Sequence, residues 1–265
     1  MQFIDNTLVG KRILVTGAGS GIGKASVLLL AKAGAKLALV GRTADELMEV
    51  FEQAGGVLAG HLIIEADVAN EAEMLACYEN ISKHWDGLEG VVANAGVNGV
   101  WASLENLSVH EWDQTLAINL RGTFITVKYA LPYLKKHGGS VIIISSVNGS
   151  RMFSNSGATA YACSKAAQVA FAKMTALELA RDRIRVNVLC PGAIQTQIND
   201  STERRKIDGL HLPVKFPAGD VPLTQGKPGS PEDVARLVWF LSSDASSHIS
   251  GTEIYIDGAQ SLLQG

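Results

Sequence analysis

Residues 12–16, Arg-Ile-Leu-Val-Thr, form a short apolar run, and Gly17-Ala-Gly19-Ser-Gly21-Ile-Gly23 follows at once. Residues 24–33 then carry good helix formers up to Gly34. Strand, glycine turn, helix is the context in which backbone N–H groups close around a phosphate at a helix N-terminus. The spacing, Gly17-x-x-x-Gly21-x-Gly23, differs from the common G-x-G-x-x-G. A tight turn with packing glycines would account for one or two of these residues. So many between one strand and one helix favour a phosphate cradle.

The same rhythm continues down the chain. Residues 36–40 read as a second strand ending at Gly41-Arg42, and 61–65 as a third with Asp67-Val68 beyond it. Residues 88–93 are a fourth, ending in Asn94-Ala95-Gly96. Residues 141–144, 184–189 and 251–257 supply a fifth, a sixth and a seventh. Helix starts lie between them: Thr43 with Glu46, Asn70 with Glu73, Ser108 with Glu111, and Ser230 before Pro231. Such alternation predicts an α/β fold, a doubly wound parallel sheet of seven strands with helices on both faces, Rossmann-like in layout. Ligands to such a sheet bind at the carboxyl ends of its strands. Gly17 to Gly23, Arg42, Asp67 and Asn94 all fall there, which points to a nucleotide.

With 265 residues, 47% of them hydrophobic and 18% charged, the chain reads as one domain over 1–265 with a substantial core. A net charge of −3 and no long basic run argue against nucleic acid or an anionic membrane as partner. Three cysteines, Cys77, Cys163 and Cys190, give no disulfide framework and fit reducing cytoplasm; Cys163 and Cys190 read as small core fillers. No metal-ligand spacing is present, and no apolar run is long enough to span a membrane. Two stretches stand apart. Residues 108–136 predict one long helix with two apolar stripes, Trp112, Leu116, Leu120 and Phe124 on one and Ile118, Ile125 and Tyr129 on another. Asn119 is a lone polar residue within it, and Pro132 is expected to bend or end it. Residues 197–229 lose all periodicity, which predicts a substrate lid.

Between the fifth and sixth strands lie Ser145-Ser146, a polar excursion over 150–160, and Tyr161-Ala-Cys-Ser-Lys165 at the start of an Ala-rich helix. Four residues apart, Tyr161 and Lys165 share a helix face. An ammonium near a phenol favours the phenolate, so the pair has the makings of a proton-transfer device. Such a pair arises by chance in roughly one chain in four of this composition. Alone it reads as a surface contact; its company decides otherwise.

Together these residues resemble the short-chain dehydrogenase/reductase family in its common single-domain form, over about Leu8 to Ala259. The resemblance is carried by Thr16-Gly17-x-x-x-Gly21-x-Gly23, Asp67, Asn94-Ala95-Gly96, Asn119, Ser146, Tyr161-x-x-x-Lys165 and Pro191-Gly192. Only the excursion over 150–160 is longer than usual, which bears on the substrate rim. The resemblance implies a hydride-transferring oxidoreductase for a carbonyl or secondary alcohol. Tyr161 would be the general acid/base. Lys165 would lower its pKa and bind the nicotinamide ribose, Ser146 would hold the reacting oxygen, and Asn119 would fix a water next to Lys165. Cofactor contacts would come from Gly17, Ser20, Gly21, Ile22 and Gly23, from Arg42, Asp67 and Val68, and from Asn94, Ala95 and Gly96. Tyr161 and Lys165 would join them, with Pro191, Gly192, Ile194 and Thr196 from the sixth strand's end. Gly41 leaves no carboxylate for a ribose 2′-hydroxyl while Arg42 suits a phosphate, so NADP is expected over NAD. The resemblance also implies a homo-oligomer, tetramer or dimer. A pocket drawing on Asn98, Trp101, Asn148, Met152, Phe153 and the lid does not choose between acyl-carrier-linked β-ketones and sugars or polyols. The alternative is a non-catalytic nucleotide-binding protein on the same fold.

Overall fold

The computed structural model describes residues 7–207, 209–210 and 221–264. Nine strands occur among them: β1 (Arg12–Thr16), β2 (Lys36–Gly41), β3 (Leu62–Glu65), β4 (Gly90–Ala93), β5 (Gly99–Ala102), β6 (Gly139–Ile144), β7 (Ile184–Pro191), β8 (Thr202–Arg205) and β9 (Glu253–Ile256). Seven form one parallel sheet in the order β3-β2-β1-β4-β6-β7-β9. The order reverses between β1 and β4, so a crevice opens where their carboxyl ends diverge.

Strand residues alternate between two apolar layers, which is why the strands are hydrophobic throughout. Ile13, Val15, Ile142 and Ile144 pack with α1 (Gly21–Lys32), α2 (Ala44–Gln53) and α7 (Pro231–Ser242). Leu14, Val141 and Ile143 face α3 (Glu71–His84), α5 (Gly122–Leu134) and α6 (Thr159–Leu179). The helix α4 (Val109–Leu116) leads into α5, and α8 (Gln260–Gln264) closes the described chain. No helix among the described residues is long and apolar enough to cross a membrane.

The expected helix starts are present at Ser108 and Ser230, each with a reciprocal capping box, to Glu111 and Asp233. Asn70 caps α3 by accepting from the Ala72 and Glu73 amides. Thr43 makes no side-chain cap; its expected partner Glu46 packs instead against Gly19 of the glycine turn. The expected single helix over 108–136 is three pieces: α4, a π-helical turn over Ala117–Arg121, and α5. Asn119 sits in that π turn, where wider spacing lets a polar side chain turn away from the apolar face. Pro132 does not end α5, which continues to Leu134.

The expected lid is not irregular throughout. Residues 197–201 form a 3-10 turn, and β8 then pairs in parallel with β5, Gly99 opposite Thr202 and Ala102 opposite Arg205. The reason is side-chain anchoring rather than apolar periodicity. Arg205 grips the Glu111 carboxylate through two nitrogens, at 2.9 and 2.8 Å, and Arg204 stacks over Trp101 at 5.1 Å. Arg205, followed by the Ser108 amide, holds the Glu111 carboxyl down at about 2. Residues 208 and 211–220 of the expected lid lie outside the described residues.

Candidate active site

The glycine turn is shaped by contacts that leave no room for side chains. Gly17 and Gly21 have φ of +63° and +51°, the left-handed region that glycine adopts without strain. A Cβ on Gly23 would lie 1.9 Å from the Gly17 carbonyl oxygen. The turn is stapled to the end of β4: Asn94 Nδ2 donates to the carbonyls of Thr16 and Gly17 at 3.0 and 3.1 Å. Thr16 Oγ1 in turn accepts from the Asn94 and Ala95 amides at 3.0 and 3.1 Å. Bare backbone at the N-terminus of α1 is a cradle for a phosphate.

One cleft runs from this turn past Ser20, Gly41 and Arg42 to Asp67, Val68, Ala95 and Gly96. Arg42 is 60% exposed, with Nη1 3.9 Å from Asp67 Oδ2, a loose pairing. Asp67 Oδ1 accepts from the Ala69 amide at 2.8 Å, fixing the loop after β3. Glu46 lines the same cleft. The sequence pattern places Glu46 at the cap of Thr43, and nothing local marks it as a cleft residue. A second cavity continues the cleft between Ile22, Asn94 and Gly96 on one side and Ser146, Tyr161, Lys165, Pro191, Gly192, Ile194 and Thr196 on the other. Gly21 adjoins Thr196, whose side chain lies 3.3 Å from where a Cβ would stand. Of the residues expected to touch a dinucleotide, all but Gly21 and Gly23 line one or other of these two cavities, which meet at Gly96. The bare-backbone cradle, a guanidinium at one end and a buried lysine at the other fit such a group.

The four expected catalytic residues converge at the inner end. Ser146 follows β6, and its Oγ accepts from the Asn148 amide at 3.2 Å while bonding to the phenol of Tyr161. Ser145, beside it, donates to the Lys165 carbonyl at 2.8 Å and is structural. Tyr161 and Lys165 are buried on the first turns of α6. Lys165 Nζ lies 5.6 Å from the Tyr161 ring centroid and donates to the Ile144 carbonyl at 2.9 Å. Burial lowers the Lys165 pKa to about 8. Burial also raises the Tyr161 phenol, and the bond to Ser146 opposes that rise. The expectation that Lys165 depresses the tyrosine is therefore corrected: burial raises the phenol, the opposing group is Ser146, and the Lys165 ammonium is engaged by the Ile144 carbonyl.

Asn119 is completely buried behind Gly96. Its Oδ1 accepts from the Val97 amide at 2.9 Å, and Nδ2 donates to the Val97 carbonyl and Ser164 Oγ at 2.9 and 3.0 Å. Both Nδ2 hydrogens are thus used by protein groups, while Oδ1 takes one donor.

A cavity of about 590 Å³ opens beyond Ser146 and Tyr161. Asn98, Trp101, Asn148 and Met152 line it as expected, as does Asn199 of the expected lid, together with Asn155, Gln195 and Gln260, which sequence reasoning missed. Gln195 is legible in the sequence, since it lies between Ile194 and Thr196, two of the expected site residues. Phe153 lies instead in a neighbouring apolar crevice with Cys163, which is exposed rather than a core filler. Cys77 and Cys190 are buried, and burial pushes each thiol up to about 12. Among the described residues no group of three His, Cys, Asp or Glu is placed to hold a metal.

A buried Ser-Tyr-Lys group at the inner end of a dinucleotide cleft defines a class, the nicotinamide-dependent oxidoreductases of the doubly wound fold. Comparison with known proteins agrees. A family model described as enoyl-(acyl carrier protein) reductase matches residues 17–259. The chain is 34% identical to the 3-oxoacyl-[acyl-carrier-protein] reductase of Thermotoga maritima, over 95% of this chain and 98% of that one. It is 32% identical to glucose 1-dehydrogenase of Gluconobacter oxydans, over 96% of this chain and 92% of that one. The crystal structure of a 3-ketoacyl-ACP reductase from Sinorhizobium meliloti 1021 superposes with a TM-score of 0.89 at 47% identity, covering 95% of this chain and 99% of that one. The chain belongs to the short-chain dehydrogenase/reductase family, as an NAD(P)-dependent oxidoreductase acting on CH–OH groups.

Proposed function

We propose that the protein is a cytoplasmic NADP(H)-preferring dehydrogenase/reductase that interconverts a ketone and a secondary alcohol, with Tyr161 as general acid/base. The observation that carries this reading is the convergence of Ser146, Tyr161 and Lys165 where the dinucleotide cleft meets the polar cavity. A carbonyl oxygen placed there accepts from the Ser146 and Tyr161 hydroxyls. As that oxygen gains charge, Tyr161 releases its proton to it. Lys165, mostly protonated at neutral pH with its pKa near 8, stabilises the phenolate left behind. The bound nicotinamide supplies the hydride in reduction and accepts it in oxidation. In the alcohol direction each proton step runs backwards. A protein that only binds nucleotides has no need of this buried group, which disfavours the non-catalytic alternative.

The substrate cavity, rich in side-chain amides, suits a substrate with several hydrogen-bonding groups. The relatives themselves are named for an acyl-carrier-linked 3-oxoacyl group, for glucose, and for other ketones and alcohols such as levodione and cyclohexanol. A panel of ketones and alcohols followed by nicotinamide absorbance tests the reading; no turnover of any member, with either cofactor, would overturn it.

The cofactor preference rests on Arg42, whose planar guanidinium matches a ribose phosphate in charge and geometry. Glu46 in the same cleft works against a phosphate, so one cation carries the preference. Arg42→Ala is expected to weaken NADP(H) binding by about 1.5–3 kcal/mol, the range for a hydrogen bond to a charged group, and to leave NAD(H) binding unchanged. Titrating each cofactor against wild type and variant decides it. Equal losses, or a wild type that favours NAD(H), would refute the assignment.

Assembly is the last part of the proposal. The stripe Trp112, Leu116, Leu120 and Phe124 is left partly uncovered, with Phe124 45% exposed. Phe124 meets Phe171 of α6 edge to face, and the same helix exposes Met174 by 74% and Leu177 by 84%. An apolar surface spread over two adjoining helices favours a self-complementary dimer, and a tetramer by pairing of dimers. Sedimentation is expected to show a dimer or tetramer at micromolar concentration; a monomer would count against this face.

A further inference from the structure

Helix α6 carries a residue that the mechanism above does not use. Gln168, one turn beyond Lys165, is completely buried. Its Nε2 donates to the Asn119 carbonyl at 2.7 Å and to Thr123 Oγ1 at 2.8 Å. A carbonyl only accepts, so the orientation of the amide is determined: its NH₂ must face the π turn. Thr123 Oγ1 donates to the same carbonyl at 2.7 Å. The Asn119 carbonyl thus takes two side-chain donors, at the point where the helix ladder is widened over Ala117–Arg121.

What this carbonyl carries is the support of the catalytic group. Through its side chain Asn119 holds Val97 and Ser164, and Ser164 Oγ donates to the Tyr161 carbonyl at 2.7 Å. Asn119 Oδ1 and Lys165 Nζ both press on Gly96, at 3.2 and 3.5 Å from where its Cβ would stand. Stability alone does not call for glutamine at 168. Its Oε1 is buried with no protein partner, a cost that a methionine of similar length would avoid.

We propose that Gln168 is a positioning residue. It ties the π turn to α6, keeps Asn119 in register, and through Asn119 and Ser164 fixes Lys165 relative to Tyr161. This inference rests on Tyr161 and Lys165 being the proton-handling pair.

Gln168→Met tests it with little change of volume. The expected result is a ~10-fold loss of kcat, in keeping with a small misplacement of catalytic groups. Substrate KM and cofactor affinity should stay within roughly twofold, and the kcat–pH profile should move by about half a unit or more, as altered proximity of charged groups requires. Gln168→Glu, which sets an acceptor against the Asn119 carbonyl, should lose more than the methionine variant. Amide hydrogen exchange of residues 117–123 in the ligand-free protein should quicken in Gln168→Met relative to β6. A loss of kcat with an unmoved pH profile would reduce Gln168 to a packing residue and overturn the proposal. Unchanged exchange over 117–123 would overturn the clamp itself, and that readout needs no turnover. Failure of the wild type to oxidise or reduce any substrate is a separate outcome; it would sink the catalytic reading and, with it, the positioning role.

Discussion

Tyr161→Phe is expected to bind the dinucleotide nearly as the wild type does and to lose ~10²–10⁴-fold in kcat, the usual contribution of a general acid/base. The substitution removes one oxygen from a buried side chain and leaves the ring packed in α6. The lost oxygen is the partner of Ser146 and, in the proposed mechanism, the one that gives its proton to the substrate. Stopped-flow rates together with fluorescence titration of the reduced cofactor separate the two effects. Turnover near the wild-type level would sink the assignment, whereas failure to bind cofactor would mean that the phenol holds the nicotinamide end. The wild type carries its own check. Burial holds the phenol protonated to high pH, so reduction should be flat through neutrality and fall only in alkali, while oxidation, which needs the phenolate, should climb with pH.

The second large effect is expected at Gly23. A methyl group there would stand 1.9 Å from the Gly17 carbonyl oxygen, and 2.8 Å from Asn94 Nδ2. Neither neighbour is a flexible side-chain end, so α1 or the turn has to move. Overpacking of this kind typically costs about 1–3 kcal/mol. The movement also opens the cradle, so Gly23→Ala is expected to bind both NAD(H) and NADP(H) at least roughly tenfold more weakly, the loss of one or more phosphate hydrogen bonds. Thermal melts and cofactor titration measure both. An unshifted melting temperature with full affinity would show that the turn is not closed as described.

Much of this architecture was legible because it is local. A strand, a glycine turn and a capped helix are each written within a dozen residues, and their repetition dictates a parallel sheet. Tyr161 and Lys165 could be paired from helical spacing, and the strand ends brought Arg42, Asp67 and Asn94 to one edge. What escaped was settled by distant partners. β8 has no strand-like pattern and is held by Glu111 and Trp101, about a hundred residues away in sequence. The π turn at Asn119 inserts one residue's worth of twist into a helix whose periodicity looks continuous. Glu46 satisfies a capping-box pattern and turns to the glycine loop instead. The titration of Tyr161 depends on how deeply it is buried, which spacing alone does not report.

The staple between Asn94 and the glycine turn has an entropic consequence. Four hydrogen bonds hold Thr16, Gly17, Asn94 and Ala95 together. These bonds join the protein's own groups, so the ordering of that loop is supported by folding contacts and does not call on a dinucleotide. Binding at the cradle then meets a rigid receptor, and its association rate is governed by encounter rather than by loop ordering. The lid side of the substrate cavity is tied in a similar way: the Asn98 amide donates to Ser201 Oγ at 3.1 Å, and Asn98 Nδ2 donates to Thr202 Oγ1 and the Ile198 carbonyl at 2.7 and 3.4 Å. One asparagine thus braces each half of the site, Asn94 at the cradle and Asn98 at the lid.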